Sequence, residues 1–169
     1  MKTPEQLRAE NAWNALDKIE KTDTIIWKDF ASLCKQTVAR TMNSGVLAAL
    51  SYLDAKGKPP KAHDDSQNET GPASQNYRLK VALARYLEGF VSAREGNPRS
   101  ATAHEAVRES GAAQALILDL IEASPIVLRR AQQEALTYLE WLARLAEGRK
   151  AQAEAPTTSQ GREASDGAK

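Results

Sequence analysis

Apolar side chains recur every three or four positions along most of this chain, and no alternating run of Val, Ile and Thr is long enough to suggest a strand. The pattern predicts an all-α fold. Thr3, Pro4 and Gln6 stand as N-cap, first helical residue and capping-box partner, and Ala12, Ala15, Leu16 and Ile19 continue one stripe to about Lys21. Thr22 and Asp23 offer the next cap. Trp27, Phe30, Cys34, Val38 and Met42 then mark a second amphipathic helix reaching the "NSG" of Asn43 to Gly45, and "VLAALSYLDAK" forms a short third one.

Residues 57–75 hold no large apolar side chain but many Pro, Gly, Ser, Asn and Asp, so they are expected to form a mobile polar loop. A fourth helix is expected from about Asn76 to Arg94, with Leu79, Leu83, Tyr86, Leu87 and Phe90 facing inward. Weaker helices follow at roughly 101–109 and 112–123, the second apolar through Leu116, Ile117, Leu120 and Ile121. Ser124 and Pro125 repeat the cap-then-proline signal and open the last helix.

That last helix has the strongest pattern. Leu128, Ala131, Ala135, Tyr138, Leu142 and Leu145 share one seam, while Leu136, Leu139, Ala143 and Ala146 form a second row. Arg130, Gln133, Thr137, Glu140, Arg144 and Glu147 fill a narrow polar strip, in which Glu140 and Arg144 have a favourable pairing order. The expected architecture is a compact bundle of about six to seven helices around a central C-terminal helix, one domain over residues 1–148. After Gly148, alanine is the only apolar residue type, so 149–169 reads as a disordered tail that the fold would not miss.

Composition narrows the chemistry. The 169 residues carry a net charge of +1, so no global field announces a nucleic-acid or membrane partner and any basic footprint must be local. Cys34 is the single cysteine, which excludes an intrachain disulfide and a cysteine-rich zinc site and fits a buried apolar role. The opening "MKTPEQLRAEN" lacks the apolar stretch of a signal peptide, and nowhere do about 18 apolar residues run together, so a soluble, cytoplasmic protein is expected. His63 precedes Asp64 and Asp65 in a Pro-bearing loop without companion histidines, and His104 lies on a weak helix. Neither follows a Glu at the spacing of carboxylate-bridged metal sites, and no Gly-rich phosphate loop or serine elbow is present. Neither a metal, a cofactor nor catalysis is expected.

Local basic excess is the remaining signal. Lys28, Lys35, Arg40, Lys56, Lys58 and Lys61 face only Asp29 and Asp54 between positions 28 and 61. Lys28 and Lys35 share a helical margin roughly 10 Å apart along the axis, which suits successive phosphates. Arg129 and Arg130 would join them if the fold brings the start of the last helix nearby. Tyr138 and Trp141 read as core packing, with a nucleobase-stacking platform as the alternative.

Three stretches, "EQLRAENAWNAL", "NSGVLAALSYL" and "RRAQQEALTYLEWLARLAEG", carry a further pattern. Together, over roughly Glu5 to Gly148, they resemble the small subunit of type III-B CRISPR effector complexes, the all-helical member of the Cmr assembly. The resemblance implies a non-catalytic subunit that stacks in several copies along a ribonucleoprotein and helps to line the groove for the RNA strands. Its implied partners are the other Cmr effector subunits, especially the backbone subunit, further copies of itself, and guide and target RNA. A free-standing helical adaptor that binds a partner protein without RNA is the alternative from another class.

Overall fold

The computed structural model describes residues 2–22, 25–58, 72–95 and 111–155. Among these residues the fold is all helical, with α1 at Pro4–Thr22, α2 at Trp27–Lys56, α3 at Pro72–Glu95, α4 at Gly111–Glu122 and α5 at Pro125–Glu154. The described residues thus hold five helices where six to seven are expected. Two of the expected helices are the two arms of α2, and the expected helix at 101–109 lies outside the described residues, as does most of the 57–75 loop.

Local signals set two of the helix starts as expected. Thr3 N–H donates to Gln6 Oε1 at 2.8 Å while Gln6 N–H donates to Thr3 Oγ1 at 3.2 Å, a closed capping box before Pro4. Ser124 Oγ accepts from Val127 N–H ahead of α5, with Pro125 at the first helical position. At α2, by contrast, Ile26 occupies the cap position without a side-chain bond, so the helix does not open on the expected Thr22 or Asp23 cap. Tertiary packing sets that start: Trp27 is buried in the core cluster with the Arg149 guanidinium of α5 5.2 Å from its ring centroid, and it also meets Phe30 of its own helix edge-to-face at 6.2 Å.

Helix α5 lies against α1, α2 and α3, and α4 closes the other side of α2 and α3. Helix α1 runs alongside α5 in the same direction, because Arg8 meets Glu134 and Glu20 meets Arg149. The first arm of α2 runs the opposite way, with Lys35 at Glu147 and Gly45 at Gln132. Ala131, Ala135, Tyr138, Leu139, Leu142 and Ala146 are buried along α5 against Leu16, Phe30, Cys34, Leu50, Leu83 and Leu87 from its neighbours. Each fully buried Leu stabilises by about 1.5–3 kcal/mol before conformational entropy is subtracted, and the alanines let α2 approach closely.

Two expected core positions are exposed. Met42 is 66% exposed, and the buried residues on that part of α2 are Thr37 and Thr41. Their hydroxyls donate to the carbonyls of Leu33 and Thr37, both at 2.8 Å, which satisfies them inside the bundle. Apolarity selected Met42, one residue beyond the position that the helix turns inward. Ile121 is also exposed, together with Leu118 and Ile126.

The α2 arms meet at Gly45, with φ 86° and ψ 166°, a conformation open essentially only to glycine. Beyond it Val46, Ala49, Leu50 and Leu53 carry the buried face onward to α3. The second arm ends where Gly57 packs its backbone on α3. A Cβ there would lie 2.7 Å from Leu53 O and 2.8 Å from the Tyr77 backbone. Lys58 N–H then donates to Ala73 O at 3.2 Å. This approach explains why α3 starts at Pro72, earlier than Asn76, and why Ser74 and Gln75 are buried rather than part of a polar loop. Both residues adjoin the Ala73 and Tyr77 backbone that meets the end of α2, a long-range approach that a count of large apolar side chains does not register.

At the other end, α5 passes through Gly148 to Glu154, so residues 149–154 are helix rather than tail. Residues 156–169 of the expected tail lie outside the described residues.

Gly45→Ala and Gly57→Ala should each destabilise the protein by about 1–3 kcal/mol, the first through backbone strain and the second through overpacking against backbone. Urea or thermal unfolding of the single variants measures this. Melting unchanged within a degree would show that the kink or the α2–α3 approach relaxes freely.

Candidate functional site

Charged side chains in this bundle fall into two groups. In the first, each cation has a carboxylate. Arg8 donates from Nε and Nη2 to Glu134 at 2.9 and 2.6 Å, and the Tyr86 hydroxyl donates to the same carboxylate at 2.9 Å, tying α1, α3 and α5 together. Lys80, only 3% exposed, reaches Asp54 at 3.0 Å and lies 4.8 Å from the Tyr77 ring centroid, while Gln114 reaches Asp54 from α4. Lys2 pairs with Glu10 and Lys21 with Asp17 on the surface of α1. Lys35 donates to Glu147 at 2.6 Å, and this hydrogen bond holds the Glu147 carboxyl below its ordinary value.

Arg149 is the most enclosed of these cations on α5. It is 8% exposed, donates to Glu20, and has its guanidinium 5.1 Å from the Trp13 ring centroid and 5.2 Å from that of Trp27. One side chain therefore joins the end of α1, the start of α2 and the last turns of α5. Charge, two aromatic faces and burial together outweigh the cost of about 1 kcal/mol for Gly148 inside a helix.

The second group has no carboxylate partner among the described residues. It comprises Lys28, Arg40, Lys56 and Lys58, together with Arg129, Arg130 and Arg144 from α5 and Arg85 from α3. Of the eight residues nominated by local charge, Lys61 lies outside the described residues, and only Lys35 has an ion pair among them. Lys28, Lys56, Lys58, Arg129 and Arg130 are exposed, and Arg40 is half-buried. From Phe30 through Leu53 the chain has no Asp or Glu, which leaves this length of α2 without an acid of its own.

The fold brings part of this set together. Arg40, from the first arm of α2, lays its guanidinium over the Tyr52 ring of the second arm at 3.4 Å, so the contact spans the Gly45 kink. Gln132 lies beneath Gly45, so the first turns of α5, with Arg129 and Arg130, arrive at the same bend. Lys28 and Lys35 sit at the opposite end of that arm, where the last turns of α5 arrive.

Tyr138 is in the core, stacked on Tyr86 with centroids 4.0 Å apart and planes 3° from parallel, which removes it as an exposed stacking platform. Trp141 is half-buried and has Arg144 5.7 Å from its centroid. Burial pushes the Cys34 thiol well above its ordinary value, so it remains protonated at neutral pH. His63 and His104 lie outside the described residues, and no group of three or more His, Cys, Asp or Glu that could hold a metal occurs among the described ones. No described helix is long and apolar enough to cross a membrane.

Sequence reasoning missed Arg149, Lys80, Trp13 and Tyr52. Trp13 was legible as the large residue off the α1 stripe; 54% exposed, it stands one residue beyond the buried Ala12. The partners of Arg149 and Lys80 come from other helices, so no local signal marked them.

Arg149→Ala should cost about 2 kcal/mol, because it strips an enclosed cation from Glu20 and two indoles. The expected drop in melting temperature is roughly 4–8 °C. A chain ending at Gly148 should lose at least as much, and a melting temperature equal to the full chain would show that the clamp contributes nothing. Burial, and next the hydrogen bond to Glu134, push the Tyr86 phenol up to about 12 from an ordinary 10. Its folded value lies above the unfolded one, so its contribution is intact below pH 10 and lost as pH rises towards 12. Stability measured from pH 8 to 12 should therefore fall less steeply in Tyr86→Phe than in the parent, and equal slopes would contradict the assignment.

No curated protein and no solved structure matches the chain significantly. The family model described as "CRISPR-associated protein (Cas_Cmr5)" matches residues 4–149, from the first residue of α1 to the clamp arginine. A match across all five helices means that the chain belongs to the Cas_Cmr5 family of CRISPR-associated proteins, as a subunit of a Cmr complex.

Proposed function

We propose that this protein is the non-catalytic small subunit of a type III-B CRISPR effector complex in the cytoplasm, stacking in several copies along the guide-RNA backbone and helping to line the groove that receives target RNA. The observation that carries the proposal is the set of cations on the family-matched bundle that have no carboxylate partner among the described residues, concentrated on α2 and the start of α5. A net charge of +1 is compatible with this role, because weak phosphate contacts multiply when several copies share one strand. Sequence selection belongs to base pairing, and this subunit supplies backbone contacts.

A stacking subunit also needs protein contacts. Leu118, Ile121 and Ile126, exposed where α4 passes into α5, suit contact with another copy or with the backbone subunit. The same patch is what favours the adaptor reading, in which partner binding is independent of RNA.

Tagged protein captured from its native cell, with and without ribonuclease, separates the two. The subunit reading expects guide RNA and the backbone subunit to travel with the bait, and RNA recovery to fall with salt. Capture of a partner protein with no RNA, unchanged by ribonuclease and by salt, would overturn it in favour of an adaptor.

A further inference from the structure

We infer that Arg40, laid flat on Tyr52 across the Gly45 kink, is a phosphate anchor for an RNA strand, and that Tyr52 is the positioning residue that keeps it ready. The inference rests on the RNA-lining role proposed above and names the place on the surface where a backbone phosphate is held.

A free arginine side chain samples many rotamers, and ordering it on binding consumes much of what a phosphate contact contributes. Arg40 is already ordered, because its guanidinium lies 3.4 Å from the Tyr52 centroid. Stacking through the face of the guanidinium leaves its N–H donors directed outward in the plane, the arrangement that matches two phosphate oxygens at once. No carboxylate occupies those donors among the described residues, and α2 carries none from Phe30 to Leu53. Arg8 and Arg149, by contrast, are used up by Glu134 and Glu20. Arg40 is thus a preorganised guanidinium that no carboxylate among the described residues occupies.

Its surroundings supply further donors. Asn43 and Ser44 follow Arg40 at the helical spacings of three and four and are exposed, and Lys56 lies one turn beyond Tyr52 on the second arm, exposed and without a carboxylate partner among the described residues. The first turns of α5 reach the same bend with Arg129 and Arg130. Donors spread over a bend between two helix arms, rather than sunk in a pocket, suit an extended polyanion more than a small free phosphate. The Gly45 conformation is required because it angles the second arm so that Tyr52 returns beneath Arg40, twelve residues away in sequence.

The test uses the assembled effector complex carrying variant subunits, with target-RNA affinity measured across a salt titration. Arg40→Lys keeps the charge and removes the flat fork; Tyr52→Leu removes the platform; Tyr52→Phe keeps it. Arg40→Lys and Tyr52→Leu are each expected to weaken binding about threefold to tenfold with the salt dependence unchanged, Tyr52→Phe to bind as the parent does, and Arg40→Ala to bind weakly with a shallower salt dependence. Melting of each free subunit reports folding, and Arg40→Lys carries the test if Tyr52→Leu does not fold. If omitting the subunit weakens RNA binding but Arg40→Lys matches the parent, the anchor is overturned and the RNA-lining role stands. If omitting the subunit leaves RNA affinity unchanged, the RNA-lining role itself fails and the anchor falls with it.

Discussion

Ala131, Ala135, Tyr138, Leu139, Leu142 and Ala146 are buried along α5, so this helix is sheltered only when other helices cover it on several sides. Helices α1, α2 and α3 do so, and their directions follow from what each must bring to it. Alanines at the contact points admit α2 closely, while Tyr138 fills the wider space towards α3 by stacking on Tyr86. Dispersion and hydrophobic burial hold this centre together, but neither fixes how far each helix slides along its neighbour. Specific polar contacts at the two ends of α5 do that. Arg8, Glu134 and Tyr86 set the register near its start, and Glu20, Arg149 and two indoles set it near its end.

This division of labour explains how a nearly neutral protein presents a basic surface. Carboxylates are spent on structural cations: Glu134 on Arg8, Asp54 on Lys80, Glu20 on Arg149 and Glu147 on Lys35 and Lys150. On and just after α2 and at the start of α5, the exposed Lys28, Lys56, Lys58, Arg129 and Arg130 have no carboxylate partner among the described residues, with Asp29 as an exposed acid beside Lys28. The potential that an RNA strand would meet therefore depends on pairing, not on composition. A copy that lost Glu20 or Glu134 would lose structure before it gained useful charge.

The kink in α2 links fold and proposed role. A straight helix of that length would carry Tyr52 away from Arg40 and Leu53 away from α3. Two threonines bonded back to their own helix, followed one turn later by Gly45, turn the chain while both buried threonine hydroxyls stay satisfied. The bend thus serves the core on one side and the basic surface on the other.

How much of this was legible beforehand depends on the range of the interactions involved. Helical class, the Thr3 and Ser124 caps, the two-row face of α5 and the break at Gly45 follow from neighbours within four residues, which is the reach of helical periodicity and capping. The acid-poor stretch of α2 is visible without a fold for the same reason, but its pairing is not: Lys35 is taken by Glu147. The continuation of α5 past Gly148, the start of α2 at Trp27, the burial of Ser74 and Gln75, and the exposure of Met42 were decided by packing. The continuation of α5 rests on Glu20, Trp13 and Trp27 and the start of α2 on Arg149, all on other helices. The burial of Ser74 and Gln75 accompanies the approach of Gly57 to α3, and Met42 is exposed because its neighbour Thr41 takes the inward position. The sequence alone determined which segments are helical and which face of each is greasy. Only the tertiary structure decided where helices end, which charges are used up and which guanidinium stacks across the kink, because pairing energies between distant residues exist only once the bundle has brought them together.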